Sequence, residues 1–256
     1  MRMKAVVNGD GTNKIPYVIH YFWFGGGSKP DSVLRCIESW KKFCPDFEIK
    51  EWNEENYDIH KHSFMEKAYN DRKWAYVSDY ARLDVLYNYG GIYLDTDVEV
   101  IRDLKDLCNC DGYFGFERAD IIGDGAGFGF AKGVPILKEM MACYDGLDEY
   151  VESPKLRTGV LLAHGLRLDG SRQNVDGIEI YPVDYLCPMN YKTGKIEITG
   201  NTYSIHHFDG SWKEGHNGFY TGLMRLLNRI LGEERGGKAF EKLMKGKDSV
   251  KRCIGR

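Results

Sequence analysis

The chain has 256 residues, of which 43% are hydrophobic, and its 35 basic and 38 acidic residues give a formal net charge of −3. This size and composition allow one large or two small domains with a proper core. The balanced charge argues against a nucleic-acid-binding protein, which would be expected to show a strong basic excess.

The cysteines and the N-terminal segment bear on where the protein works. The seven cysteines form no CxxC pair and are odd in number, which is typical of a reduced chain and argues against a zinc site at Cys108 and Cys110. Residues 1–14, interpreted as a leader, lack the apolar stretch of a signal peptide. No apolar run approaches the roughly 18 residues of a spanning helix. We therefore expect a cytoplasmic protein, with room for peripheral contact at the inner face of the membrane.

The first fifty residues predict a strand, a helix and a second strand. Residues 15–24 are rich in β-branched and aromatic types and run into GGG. Apolar positions recur at helical spacing over 31–44, with Asp31 or Ser32 as the N-cap. Residues 47–52 alternate like a strand. This order is the βαβ pattern of a parallel sheet, so the expected class is α/β.

A long helical pattern follows over residues 62–89, with a break near Asn70 and Gly90 as its C-terminal glycine. The next strand begins with Ile92, and residues 123–133 indicate a glycine-dense loop or weak strand. Further elements are predicted at 113–117 (strand), 135–144 (helix), 177–181 and 195–199 (short strands) and beyond 218 (an amphipathic helical tail with a basic end).

Two aspartates, Asp95 and Asp97, end the strand that begins with Ile92. If both lie in extended chain, their side chains point to the same face. Two carboxylates that close repel each other unless a cation or a proton lies between them. At the C-terminal end of a parallel strand, this pattern favours a divalent metal bound together with phosphate oxygens.

The aspartate pair has three other interpretations. The aspartates can simply end the strand and cap the following turn. An EF-hand loop does not fit, because its sixth position would be Val100 where glycine is required. A phosphatase of the haloacid dehalogenase type fits better, but Glu99 occupies the last position of its DxDx[TV] motif, and at least two predicted strands come earlier.

The segment from Ser78 to Arg82, followed by LYNYGGIYLDTD at 86–97, resembles the DXD region of sugar transferases with a GT-A fold. More narrowly, it resembles glycosyltransferase family 32 and its relatives, which include yeast mannosyltransferases, capsular-polysaccharide transferases and clostridial glucosylating toxins. The likeness extends from Ile15 to about Trp212. It implies a mixed, mostly parallel central sheet flanked by helices, with a helical C-terminal tail.

The resemblance assigns roles to five residues of this block. It implies that Asp97 binds the metal, and that Asp95 contacts the donor's ribose or sugar and reaches the metal through water. Asp79 and Arg82 match positions that hold the donor's sugar and phosphates, and Tyr93 is a further donor-binding residue. The alternative for Asp79 and Arg82, which are spaced i, i+3 on a helix, is a modest surface ion pair.

At the first strand, the resemblance makes Trp23 the candidate ring for the nucleotide base. His20 lies on the opposite face of that strand and is interpreted as a buried structural histidine. The glycines at 25–27 lack the GK[ST] ending of a P-loop, so they indicate close backbone approach or flexibility.

A second segment, HHFDGSW at 206–212, resembles the part of these enzymes in which a histidine joins the DXD aspartate on the metal. Within His-Phe-x-Gly, His207 aligns as the ligand, and His206 is expected to be structural. Ser211 and Trp212 would contact the diphosphate.

The acceptor half departs from the family pattern in two places. Asp124 stands where the family often has asparagine, and Thr158-Gly159-Val160 replaces Thr-Gly-Pro. Asp124 is a weak catalytic candidate that could line the reacting face of the sugar, or it is a turn residue.

The resemblance implies a metal-dependent, retaining hexosyltransferase that uses Mn²⁺ or Mg²⁺ and a nucleotide-sugar donor, with UDP-sugars favoured. The acceptor would be a glycan or a lipid-linked saccharide, as in bacterial polysaccharide biosynthesis. A phosphate oxygen of the donor would take the acceptor's proton, so no dedicated protein base is needed. The rivals are a phosphohydrolase and a non-catalytic nucleotide-sugar-binding module. The expected organisation is a catalytic domain at 15–217, divided into donor (15–107) and acceptor (108–217) halves, and a tail at 218–256.

Overall fold

The computed structural model describes residues 14–123, 125–209 and 218–254. Its strands are β1 (Val18–Phe22), β2 (Glu48–Trp52), β3 (Gly91–Tyr93), β4 (Val98–Val100), β5 (Gly112–Arg118), β6 (Ile121–Gly123), β7 (Phe128–Phe130), β8 (Gln173–Val175), β9 (Ile178–Tyr181) and β10 (Ser204–His206). Its helices are α1 (Asp31–Phe43), α2 (Ser63–Asn70), α3 (Trp74–Tyr89), α4 (Ile136–Ala142), α5 (Ser153–Ala163), α6 (Val183–Leu186), α7 (Gly218–Leu231) and α8 (Glu233–Ile254).

An eight-stranded sheet runs in the order β2-β1-β3-β7-β5-β9-β8, and β6 pairs with β5. Strands β1, β2, β3, β5 and β9 run in one direction, and β6, β7 and β8 run in the other. The predicted α/β architecture, with a mixed and mostly parallel sheet flanked by helices, is thereby confirmed. The C-terminal ends of β1, β3 and β5 lie at one edge of the sheet, where α/β folds place ligands.

The main apolar core lies on one face of this sheet. Phe114 and Phe116 of β5 and Phe128 and Phe130 of β7 pack there with buried side chains of α2 to α5. On β5, alternation leaves the side chains between these phenylalanines to the opposite face. That second face of the sheet is free to pack against other elements, including those near the candidate site.

The predicted βαβ unit at the N-terminus is confirmed, because β1 and β2 pair in parallel and α1 connects them. All five residues of β1 are buried, and α1 buries its predicted apolar stripe. The predicted N-cap was wrong. Asp31 is already the first helical residue, and Pro30 occupies the cap position, where its extended backbone (φ −68°, ψ 162°) starts the helix without a side-chain hydrogen bond.

The predicted break near Asn70 is confirmed by the gap between α2 and α3. Gly90 ends α3 with φ +69°, and a Cβ atom there would lie 2.9 Å from the backbone nitrogen of Lys132 and the Cδ of Pro16. Only glycine suits both the backbone and the space. The chain therefore enters β3 at a fixed point.

The predicted strand at 195–199 was wrong. Within it, only Ile196 makes a β-bridge, to Met189. Helix α5, strand β8 and strand β10 were not predicted, because residues 145–205 carry weak local patterns. These unpredicted elements supply several of the contacts around the candidate site.

His20 links β1, β2 and the end of α3, and it is fully buried, as its structural interpretation predicted. Its Nδ1 accepts a hydrogen bond from Trp52 Nε1 (3.1 Å), and its Nε2 lies 2.9 Å from the Gly90 carbonyl oxygen. An imidazole that accepts at Nδ1 and donates at Nε2 is neutral. Burial lowers the pKa of His20 to about 4.

We expect this histidine to make stability fall in mild acid. Below pH about 6.5 the unfolded chain binds a proton at His20 that the folded chain excludes until pH about 4. The free energy of unfolding should drop by up to about 3 kcal/mol across that window. A His20→Gln variant, which cannot titrate, should show a correspondingly smaller drop in urea titrations at pH 7 and pH 4.5. Equal losses in the two proteins would contradict this assignment.

The chain divides into two compact units. The first reaches Pro188 and includes Ile198–His206, and the second consists of Met189–Glu197 and the chain from His207 onwards. In the second unit, α7 binds the loop before it through Arg225, Asn228 and Arg229, which donate to carbonyl oxygens of Tyr191, Lys192, Thr193 and Gly194. Among the described residues, no helix is both long and apolar enough to cross a bilayer. Six of the cysteines are free thiols: Cys36, Cys44, Cys108, Cys110, Cys143 and Cys187.

Candidate active site

Asp95 and Asp97 lie in the turn between β3 and β4. The strand ends at Tyr93, and the Val98 backbone N–H donates to the Asp95 carbonyl oxygen (3.1 Å), which closes the turn. The two side chains converge, as predicted, but the prediction that they extend a strand was wrong. The turn brings the carboxylates together by reversing the chain.

Gly125 packs directly against this turn. Its carbonyl oxygen accepts a hydrogen bond from the Asp95 backbone N–H (3.2 Å). A Cβ atom on Gly125 would overlap the Asp95 carboxylate and would lie 2.9 Å from the Cε1 of His206. The glycine at position 125 therefore permits the close approach of backbone to the aspartates.

The histidine beside the aspartates is His206. It ends β10, which pairs antiparallel with β4 so that His206 lies opposite Val98, the residue after Asp97. The Nε2 of His206 lies 3.2 Å from Asp97 Oδ1. Ligand atoms of Asp95, Asp97 and His206 all lie within 4.8 Å of one another.

This arrangement corrects the choice made from the sequence. The prediction took His207 as the ligand and His206 as structural. Neighbouring residues of extended chain project to opposite sides, so only one of the two histidines can face the aspartates. The register of β10 on β4 selects His206, and His207 is the first residue of the chain segment that belongs to the second unit.

The charges in this cluster favour a bound cation. Burial raises the pKa of Asp95, and although the Arg82 guanidinium lowers it, the neighbouring Asp97 carboxylate raises it further. Burial alone would lower the pKa of His206, yet the Asp97 carboxylate raises that pKa well above its usual value. A positive charge placed among these three groups would relieve the repulsion between the two carboxylates.

The donor atoms fit a hard or borderline divalent metal. Two carboxylates supply oxygen ligands and one imidazole supplies nitrogen, a set compatible with Mn²⁺ and, through the carboxylates, Mg²⁺. The Asp97 and His206 side chains are only 17% and 10% exposed, so both are held in place before any ion arrives. Asp95, at 31%, is the most accessible of the three.

Asp79 and Arg82 form an ion pair on α3 that is buried, with side chains 8% and 5% exposed. The interpretation of this spacing as a surface ion pair is therefore wrong. Arg82 Nη1 also lies 3.6 Å from Asp95 Oδ1, and its guanidinium lies 4.8 Å from the Tyr93 ring centre. The Tyr93 hydroxyl donates to Asp95 Oδ1. Four of the predicted donor-site residues thus form one connected cluster.

Arg157, which no sequence pattern singled out, supports this cluster through Asp79. Its side chain is 1% exposed, and its Nη2 donates to the Asp79 carbonyl oxygen (2.9 Å). Tyr144 Oη lies 3.4 Å from the same oxygen. Because Arg157 belongs to the unpredicted helix α5, no local signal could have linked it to the site.

Trp23 follows β1, at the same sheet edge as the aspartates. Its Nε1 donates to the Gly27 carbonyl oxygen (2.6 Å), and the Lys29 ammonium lies 5.6 Å from the ring. Gly25 has φ +86°, and a Cβ atom there would lie 2.8 Å from the Trp74 ring. The loop is thus folded tightly around Trp23. The remaining predicted residues, Asp124, Ser211 and Trp212, lie outside the described residues.

Comparison with known proteins agrees with this site. Residues 30–112, which contain the aspartate turn, the buried ion pair and Tyr93, match the family described as a glycosyltransferase sugar-binding region containing a DXD motif. The predicted resemblance to DXD-containing sugar transferases is confirmed over residues 30–112, which are less than half of the chain.

Two curated relatives carry specific names. The chain is 29% identical over 138 residues to inositol phosphoceramide mannosyltransferase 3 of Schizosaccharomyces pombe. The aligned part covers 50% of this chain and 36% of that protein. It is 25% identical over 149 residues to lactosylceramide 4-alpha-galactosyltransferase of Rattus norvegicus, covering 51% and 39%. The chain thus spans little more than a third of the length of these relatives.

Among solved structures, the chain is similar to the PaToxG glycosyltransferase, with a TM-score of 0.48 and 18% identity over 58% of this chain and 68% of that one. It is also similar to a glycosyltransferase involved in glycosylation of the major capsid of PBCV-1, with a TM-score of 0.38 and 11% identity over 67% and 84%.

Proposed function

We propose that the protein is a metal-dependent, retaining glycosyltransferase that moves a sugar from a nucleotide-sugar donor to a glycan or lipid-linked acceptor, as in polysaccharide biosynthesis. The observation that carries this proposal is the cluster of Asp95, Asp97 and His206, whose two aspartates lie in the segment that matches a DXD sugar-binding region. Mn²⁺ or Mg²⁺ held there would supply Lewis-acid stabilisation of the departing diphosphate.

The protein's own residues have separate tasks in this proposal. Asp97 and His206 would hold the ion, with Asp95 beside it. The buried Arg82 would face the donor's phosphates while Asp79 keeps its guanidinium oriented. A preoriented cation needs little rearrangement as negative charge develops, which is how electrostatic catalysis lowers a barrier. Trp23 would receive the base. The predicted contacts of Ser211 and Trp212 with the diphosphate remain part of the proposal.

Both curated relatives are named for ceramide-based acceptors, which supports a lipid-linked acceptor for this chain. One name specifies mannosyl transfer and the other galactosyl transfer, so the sugar and base need a direct test. We propose UDP-linked donors first. A thermal-shift screen of nucleoside diphosphates with Mn²⁺ would identify the base, and hydrolysis of the corresponding nucleotide sugars would then show turnover.

The same thermal-shift and hydrolysis measurements, extended to a phosphomonoester, separate the rival functions. A phosphohydrolase would release inorganic phosphate from a phosphomonoester such as p-nitrophenyl phosphate and would leave nucleotide sugars intact. A non-catalytic module would be stabilised by nucleoside diphosphate with Mn²⁺ but would turn over none of the nucleotide sugars. Sugar release that requires the metal would support the transferase.

A lipid-linked acceptor makes membrane contact part of the proposal, through the second unit. Residues 218–254 contain nine basic and four acidic residues, a net charge of +5 in a chain whose total is −3. Among the described residues, eleven large apolar side chains are exposed, and this unit holds six of them: Tyr191, Ile196, Leu226, Ile230, Leu231 and Leu243. Apolar side chains beside a basic surface fit an anionic bilayer.

We expect a Leu226→Glu, Ile230→Glu variant to lose binding to anionic vesicles. The two side chains are spaced i, i+4 on α7 and are 52% and 69% exposed, so they share one helix face. Glutamate side chains at these positions would not insert into the bilayer as the apolar ones do. The binding of the protein to the vesicles should therefore weaken about tenfold or more. The measurement is co-sedimentation with phosphatidylcholine vesicles, with and without phosphatidylserine.

The matched control is Leu162→Glu, Leu168→Glu, which changes two leucines of the first unit that are 44% and 43% exposed. Equal pelleting of the two variants would contradict membrane docking by α7. So would a wild type that pellets with neither kind of vesicle but forms a dimer in solution.

A further inference from the structure

Strand β5 contains a β-bulge at Glu117. Phe116 pairs with Ile122 of β6 and Arg118 pairs with Ile121, so two steps along β5 correspond to one step along β6. Glu117 is the additional residue. Bulges bend the strand and redirect a side chain, and they are frequent beside active sites. The question is where this one directs its carboxylate.

Glu117 lies on the face of the sheet opposite the apolar core. Phe114 and Phe116 belong to the core, whereas at Gly115 a Cβ atom would meet Leu186 of α6 at 2.9 Å. Gly123 pairs with Gly115, and a Cβ atom on Gly123 would lie 3.1 Å from the Cβ of Glu117. The glycine on β6 therefore leaves room for the glutamate side chain on the α6 side.

The same face carries the candidate metal ligand. Ser204, two residues before His206 on β10, donates to the carbonyl oxygens of Leu186 and Ala126 (both 3.2 Å), which ties β10 to α6. Cys187 follows α6, and its thiol lies beside His206. Burial raises the pKa of the Cys187 thiol, and the carboxylates of Glu117 and Asp97 both raise it further. Glu117 and Asp97 thus both lie near the Cys187 thiol.

Glu117 is accessible without being a ligand of the cluster. Its side chain is 22% exposed, and Arg118 Nη1, itself on a 58% exposed side chain, lies 3.8 Å from Glu117 Oε1. The metal-ligating group comprises Asp95, Asp97 and His206. Because β3 and β5 run in the same direction, Glu117 near the end of β5 and Asp95 after β3 occupy the same edge of the sheet.

We propose that Glu117, in place of the donor's phosphate oxygen that the resemblance implies, takes the proton from the nucleophile, which attacks from the face that the diphosphate leaves. This inference rests on the proposed transferase function. In the step, the oxygen of the acceptor hydroxyl, or of water in donor hydrolysis, forms the new bond to the anomeric carbon. The bond from that carbon to the diphosphate oxygen breaks, and its electron pair stays on the diphosphate. The O–H bond of the nucleophile breaks, and the proton passes to the Glu117 carboxylate.

The test is steady-state hydrolysis of the best nucleotide sugar by the full chain, comparing wild type, Glu117→Gln and Glu117→Asp. We expect Glu117→Gln to lower kcat about a hundredfold or more, because loss of a general base typically costs that much. The KM for the donor and the affinity for the nucleoside diphosphate with Mn²⁺ should stay within about threefold, because the base acts on the nucleophile. Glu117→Asp, which keeps the carboxylate, should retain part of kcat.

The matched control is Glu179→Gln on the neighbouring strand β9, where the carboxylate is 23% exposed and pairs with Arg172. It should leave kcat unchanged. A Glu117→Gln enzyme with wild-type kcat would overturn the proposal in favour of proton transfer to the donor's own phosphate. A parallel loss of kcat, nucleotide affinity and melting temperature would assign Glu117 a structural role. A wild type that hydrolyses no nucleotide sugar would overturn the transferase function together with this role.

Discussion

Replacing Asp97 with alanine should lower the turnover of nucleotide sugars about a thousandfold. Asp97 pairs with His206 at 3.2 Å and is largely buried, so no other described carboxylate can take its place without moving the turn. A bound metal contributes several kcal/mol to charge stabilisation, and about 4 kcal/mol corresponds to a factor of a thousand. The measurements are donor hydrolysis with and without EDTA, and Mn²⁺ binding by calorimetry.

The control for charge alone is Asp106→Asn, which removes an exposed carboxylate that pairs with Arg102 at 3.5 Å. It should leave turnover unchanged. Activity that survives both chelation and Asp97→Ala would contradict the metal-dependent mechanism. It would not contradict the fold described above.

The adjacent histidines give this prediction a sharper form. His206→Ala should reproduce the loss seen with Asp97→Ala, because His206 supplies the third ligand atom. His207→Ala should retain most activity and Mn²⁺ affinity. The reverse result would restore the choice made from the sequence and would require a different register for β10.

Replacing Arg82 with alanine should lower the free energy of unfolding by about 3–5 kcal/mol, the usual cost of removing one partner from a buried ion pair. The loss is large because Asp79 would remain buried next to α5 with its charge uncompensated, and Asp95 would lose a guanidinium that lies 3.6 Å away. The measurement is urea unfolding followed by tryptophan fluorescence.

Arg102→Ala is a closely matched control. Arg102 also lies over an aromatic ring, with its guanidinium 4.5 Å from the centre of Tyr203, and it also pairs with a carboxylate. Its side chain is 44% exposed, however, so the expected cost is below about 1 kcal/mol. Similar losses for the two variants would show that burial of the Asp79–Arg82 pair does not dominate stability here. Donor affinity should fall only for Arg82→Ala.

The N-terminal elements illustrate what local sequence can predict. Strand β1, helix α1 and strand β2 follow from alternation and helical spacing, because side-chain periodicity decides locally which face of an element is buried. Gly90 was identified as a helix terminator for a reason the structure bears out, a positive φ with no room for a Cβ atom. The aspartate pair and the Asp79–Arg82 spacing could also be predicted from local sequence, because each lies within one turn or one helix.

The choice between His206 and His207 shows what local sequence cannot predict. Both residues sit in the same short segment, and only the pairing of β10 with β4, more than a hundred residues earlier in the chain, decides which one faces the aspartates. A shift of one residue in that register would exchange them. Arg157 under Asp79 and the bulge at Glu117 are decided in the same way, by contacts between distant elements. The sequence by itself determined the local elements and the acidic half of the site; the tertiary structure decided the partners, because strand register and helix docking depend on residues that no local pattern contains.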